Sequence, residues 1–113
     1  MNKTCTFTQE ATADITRFDW GRICMLINPP VATGVRFGSV TVRSGALGHE
    51  LHHHTNEDEI IYIVSGDGIF ATETEKRQVH AGDCIFVPAG IAHTTSNSGA
   101  DNMNIIIVYI PAR

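Results

Sequence analysis

Residues 52–66 read HHHTNEDEIIYIVSG, and the reading of this stretch decides the fold. Its right half, EIIYIV, is a β-branched run that favours a pleated, half-buried strand. The run closes on Ser65-Gly66-Asp67-Gly68, a sequence suited to a hairpin-type turn. Its left half lies in GHELHHHTNEDE, residues 48–59, which holds four of the six histidines and four of the twelve acids. If ELHHHT is extended, residues two apart point the same way, about 6.6–7 Å apart along the strand. His52 and His54 then share a face and His53 takes the other. Two imidazoles so placed can bind one ion at about 2.0–2.1 Å each. Glu59 opens the next strand, and a turn over residues 55–58 folds it back towards the pair, with Glu57 and Asp58 read as turn residues in water. A fourth ligand must come from elsewhere, and His93, after the Pro88-Ala89-Gly90 turn, is the best candidate. Spacing alone leaves a second reading open, a solvated polar loop.

Outward from this stretch the chain is a series of short apolar runs broken by turn residues, the pattern of an all-β sandwich or barrel. RICMLIN stops at Asn28-Pro29-Pro30. GVRFGSVTVRSG alternates, with Arg36, Gly38, Val40 and Val42 on one face and Val35, Phe37, Ser39, Thr41 and Arg43 on the other. GIFATETEKRQVHAGD reads as two strands around a polar turn at residues 74–76. CIFVPAG is a strand stopped by Pro88 and Gly90. HTTSNSGADN begins as a strand and ends in a turn, and MNIIIVYIPAR is the last strand. About eight strands are expected, with no repeat or linker. The only plausible helix is a turn or two within residues 9–17. At this size, a closed barrel or a double-sheet jelly roll hides most sheet edges.

HHHTNEDEIIYIVSG followed by GDCIFVPAGIAHTTSN resembles the two motifs of the cupin superfamily. The first is commonly G(X)5HXH(X)3–4E(X)6G, and His52, His54, Glu59 and Gly66 fit it. Its leading glycine does not, since Gly45 is one residue too far from His52 and Gly48 too close. The second is G(X)5PXG(X)2H(X)3N, and Gly82, Pro88, Gly90, His93 and Asn97 match it without a gap. Residues 67–81 separate the motifs, near the short end for the superfamily. The resemblance covers roughly residues 35–110. It implies an all-β cupin jelly-roll barrel (a double-stranded β-helix) with His52, His54, Glu59 and His93 holding one divalent metal ion. The chain then reads as a single domain, residues 1–113, with an extension and strands over 1–33 and a barrel core over 34–110.

Once that ligand set is adopted, the surrounding residues sort themselves. His53 falls on the outer face. His80 lies at the surface, and Asn97 closes a turn through its side chain. Three imidazoles and a carboxylate leave a six-coordinate ion two positions for water or substrate, an open site. Mixed N/O ligands suit Mn, Fe, Co, Ni, Zn or Cu, and the order of affinities does not choose among them. The expected function is a small metalloenzyme acting on an oxygenated organic acid or sugar-like substrate by isomerase, lyase or dioxygenase chemistry. The alternative is a metal-dependent binding protein without turnover. Non-redox chemistry also needs an acid or base beside the ion. Tyr62, Tyr109 and His49 are the candidates, although Tyr62 alternates off the Glu59 face. Arg36 and Arg43 are candidates to anchor a substrate carboxylate. They lie on opposite faces, so one of them at most points inward.

Composition narrows the classes further. The 113 residues carry 42% hydrophobic and 18% charged residues and a net charge of −4. That suits one soluble domain with a modest core. No basic stripe offers phosphates a landing surface, so nucleic-acid binding is not expected. The longest apolar run, residues 105–110, is of strand length, far below a membrane span. The N-terminal twenty residues have no apolar signal-peptide core, so the expected compartment is the cytoplasm. Cys5, Cys24 and Cys84, with no CxxC, read as three reduced and mostly buried thiols. The small core and the resemblance imply a homodimer, to which residues 18–27 contribute a strand either in their own sheet or in the partner's.

Overall fold

The computed structural model describes residues 4–28, 34–48 and 53–112. His49 and His52, two residues of the expected site, lie outside them. Nine strands are present among the described residues: β1 (Asp14–Phe18), β2 (Gly21–Ile27), β3 (Arg36–Val42), β4 (Glu57–Ser65), β5 (Asp67–Thr72), β6 (Lys76–His80), β7 (Cys84–Val87), β8 (His93–Asn97) and β9 (Met103–Pro111). They form a six-stranded sheet in the order β1-β2-β3-β9-β4-β7 and a three-stranded sheet in the order β6-β5-β8. Every pairing between these strands is antiparallel. The two sheets face each other as a jelly roll, the expected all-β class.

Strand parity sets the core. Val40 and Val42 of β3, Ile61 and Ile63 of β4, and Met103, Ile105 and Ile107 of β9 all turn inward and pack with Phe70, Val79 and Val87. Each such side chain contributes about 1.5–3 kcal/mol when fully buried. Arg36 shares the inward face with Gly38, Val40 and Val42, as the alternation of β3 predicts.

Five expectations are corrected. The helical turn expected within residues 9–17 is present but short, and the segment continues as an unexpected strand. It holds a 3-10 turn, Glu10–Thr12, and then β1, a strand beyond the eight expected. Ladder bonds from Asp14↔Met25 to Phe18↔Gly21 decide this in favour of strand. The Ser65–Gly68 turn is not a hairpin, because β4 and β5 belong to different sheets. Gly66, at φ 97°, carries the chain over the corner between them. Glu57 and Asp58 are not turn residues in water. Both are half-buried members of β4. His53 and His54 are not part of a strand, although His53 is exposed as expected. Finally, only Cys24 of the three free thiols is buried, while Cys5 and Cys84 are exposed. β2 pairs with β3 of its own sheet.

Candidate metal and substrate site

Three inward-facing residues form one row across the large sheet. Arg36 on β3 pairs in register with Tyr109 on β9, and Tyr109 pairs with Glu59 on β4. Neighbouring strands lie about 4.8 Å apart, so the row spans about 10 Å. His93, the first residue of β8, faces this row from the small sheet. Its Nε2 lies 2.9 Å from Glu59 Oε1. Both residues are buried, His93 at 1% and Glu59 at 4% exposure.

The contacts of the His93 ring assign its nitrogens. Nδ1 lies 2.9 Å from the Ile91 carbonyl, which can only accept, so Nδ1 carries a proton. Nε2 is therefore the nitrogen turned to Glu59. Burial pulls the His93 pKa down, but the Glu59 hydrogen bond, the Ile91 carbonyl and the Glu59 charge together raise it above the ordinary histidine value. A carbonyl-bound Nδ1 with Nε2 turned into the site is the arrangement by which a protein orients a metal-binding histidine.

His54 stands on the same side. Its ring meets Tyr109 edge-on at 4.8 Å and lies 6.4 Å from the His93 ring, between centroids. The turn of the second motif holds it there. Gly90 N–H donates to the His54 carbonyl at 2.7 Å, and Ala89 N–H donates to Asp58 Oδ1 at 2.9 Å. Gly90, at φ 88°, takes a conformation that favours glycine. Asp58 thus ties the two motifs together, a role that a local polar run does not reveal.

Among the described residues no three His, Cys, Asp or Glu side chains are close enough to chelate an ion. His52, the remaining member of the expected set, lies outside them. The donor chemistry nevertheless fits a divalent ion: two imidazoles and a carboxylate, with one imidazole already fixed by a backbone carbonyl.

Behind the row lies a cavity of about 70 Å³, walled by Trp20, Ile23, Val40, Ile61, Ile105 and Ile107, with Glu59, Thr95 and Tyr109 as polar groups. At about 30 Å³ per water it has room for roughly two waters. Burial, then the Glu59 charge, pushes the Tyr109 phenol up, so it stays protonated beside that carboxylate. Arg36 lies over the Tyr109 ring, its Cζ 4.2 Å from the centroid. It forms a two-pronged pair with Glu57, Nε to Oε2 at 3.0 Å and Nη2 to Oε1 at 2.5 Å. That hydrogen bond raises the Arg36 pKa, against burial.

The other candidates stand away from this row. Arg43 bonds the Asp19 carbonyl in an exposed position, and Tyr62 is 43% exposed on the outer face of β4. His80 pairs with Asp67 at the surface.

A cupin-domain family model matches residues 38–109, well over half of the chain. The protein belongs to the cupin superfamily. Among curated proteins it is 35% identical over 60 residues to the oxalate-binding protein of Thermotoga maritima, covering 53% of this chain and 50% of that one. The match therefore spans half the length of that relative. Among solved structures, a predicted oxalate decarboxylase of Thermotoga maritima superposes with a TM-score of 0.82 at 23% identity, covering 94% of this chain and 99% of that one. FeII HppE superposes with a TM-score of 0.83 at 14% identity, covering 97% and 62%. At these identities the structures share the fold. No helix among the described residues is long and apolar enough to cross a membrane.

Proposed function

We propose that this cupin holds one divalent transition-metal ion through His52, His54, Glu59 and His93, and uses it on a small oxygenated acid or sugar-like substrate. The observation that carries this reading is the buried His93–Glu59 contact beside a small apolar cavity. When bound, the ion supplies a Lewis-acid centre with positions open to substrate oxygens. The chain's own residues do the rest. The Ile91 carbonyl fixes the His93 ring so that Nε2 faces the site. The aliphatic walls exclude water and strengthen polar contacts within. Tyr109, held protonated within hydrogen-bond reach of Glu59, is the candidate proton source.

A second reading, a binding module without turnover, is favoured by the relative that is named for binding oxalate. In either case the protein is proposed to work in the cytoplasm as a homodimer. The exposed Tyr62, Val64 and Phe86 on the outer face of the large sheet support the pairing.

Elemental analysis tests the site. The wild type is expected to carry about one ion per chain, and His54→Ala to lose it. Full retention in that variant sinks the assignment. Loading under argon separates the reactions. Oxygen uptake with Fe²⁺ and substrate marks a dioxygenase, and turnover with Mn²⁺ or Ni²⁺ without oxygen marks an isomerase or lyase. Tight binding with neither marks the module.

A further inference from the structure

The Arg36–Glu57 pair has the geometry of a ligand complex. A guanidinium that donates Nε–H and Nη2–H to the two oxygens of one carboxylate is the fork by which arginine recognises an organic acid. The pair sits at the end of the row that runs through Tyr109 to Glu59. The Tyr109 ring separates Arg36 from His54, touching both. We propose that Arg36 recognises a carboxylate of the small acid taken by this site, and that Glu57 is an intramolecular stand-in for that carboxylate, which the ligand displaces. This inference rests on the function proposed above and narrows its substrate class to acids.

Three features support exchange over a permanent ion pair. The first is accessibility. The side chains of Arg36 and Glu57 are 29% and 23% exposed, whereas those of His93 and Glu59 are 2% and 6% exposed. A pair that water reaches is weakly held. The second is support. Arg36 keeps its place without Glu57, because its guanidinium stacks on Tyr109 and its backbone sits in the β3–β9 ladder. Glu57 is the first residue of β4, and the chain just before it is a bend, so its side chain can swing outward without unpairing the strand.

The third is charge. Glu57 and Glu59 lie on the same face of β4, against one guanidinium. An anion arriving while Glu57 holds Arg36 meets two carboxylates. An anion that takes Arg36 from Glu57 replaces like with like. A neutral sugar cannot make that exchange, so the latch selects for charge.

The test follows the ¹⁵Nε–H signal of Arg36 by NMR while malonate, or its neutral diamide, is added to metal-free and zinc-loaded full-length protein. In Glu57→Gln, malonate is expected to move the signal at about tenfold lower concentration than in wild type, and the diamide to leave it unmoved. Arg36→Lys, which keeps the charge and loses the fork, is expected to weaken malonate binding by tenfold or more, read on the Tyr109 ring signals. Equal malonate affinity in wild type and Glu57→Gln overturns the latch, as does a weaker affinity that follows a loss of thermal stability. Unchanged affinity in Arg36→Lys overturns the role of Arg36. If the chain takes up no zinc, the metal site fails separately, and the metal-free titration still decides the exchange. No movement with malonate in either protein overturns it.

Discussion

Asn97 commits its whole side-chain amide to backbone partners. Nδ2 donates to the Val42 and Asp101 carbonyls, each at 2.8 Å, and Oδ1 accepts from Gly99 N–H at 2.9 Å. Asn97→Ala leaves those buried groups without a partner, and each such loss costs about 1–3 kcal/mol. A total of about 2–4 kcal/mol is expected in denaturant unfolding. A change below about 0.5 kcal/mol would show that water replaces the amide. The turn-closing role was legible in the second motif. The bond to Val42, which ties the end of β8 to the end of β3, was not, because it joins residues 55 positions apart. The same limit hid Asp58, whose partner Ala89 lies 31 residues away. It also hid the pairing of Arg36 with Glu57. Alternation along β3 put Arg36 and Arg43 on opposite faces, but only the packing of the small sheet over the large one decides which face is inside.

The strands themselves were largely readable, since each carries its own period and its own stop. What local pattern did not show was which strands pair. The Ser65–Gly68 sequence fits a hairpin, yet the chain there leaves one sheet and enters the other. Gly66 and Gly82 both have positive φ, 97° and 94°. At Gly66 an added Cβ would also meet Met103 Cα at 2.9 Å, whereas at Gly82 it would meet open space. The conformational penalty alone is about 1–2 kcal/mol. Gly66→Ala is therefore expected to lower Tm clearly more than Gly82→Ala. Equal shifts would mean that the corner between the sheets relaxes at no cost. β1 was missed for the opposite reason. Its side chains are nearly all exposed, so no buried face marked it, and its backbone pairing with β2 holds it in place.

At the scale of the whole molecule, the two sheets bury one thiol and leave two in water. Cys24 is fully buried, whereas Cys84 lies on β7, an edge of the large sheet, and Cys5 precedes β1. Titration with a thiol-specific reagent is expected to give two fast equivalents in the native protein and a third only on unfolding. Three fast equivalents would contradict the packing of β2 on β3. A Cys84 rate that rises on dilution would mark subunits pairing over the outer face. The fold as a whole was legible because two motifs, in order, fixed both the class and the spacing of its turns. The setting of the site was less so, since its residues come from β3, β4, β8 and β9 and the segment around His54.

β9 is the centre of the large sheet and the last of its strands along the chain. It supplies Tyr109, the ring against which His54 and Arg36 both rest. A ribosome adding roughly 5–20 residues per second exposes the histidines while this central strand is still inside the exit tunnel. Until β9 inserts, β3 and β4 have no neighbour on that side and the pocket has no floor. If the site holds the proposed ion, that ion is selected only after β9 has left the tunnel and inserted between β3 and β4.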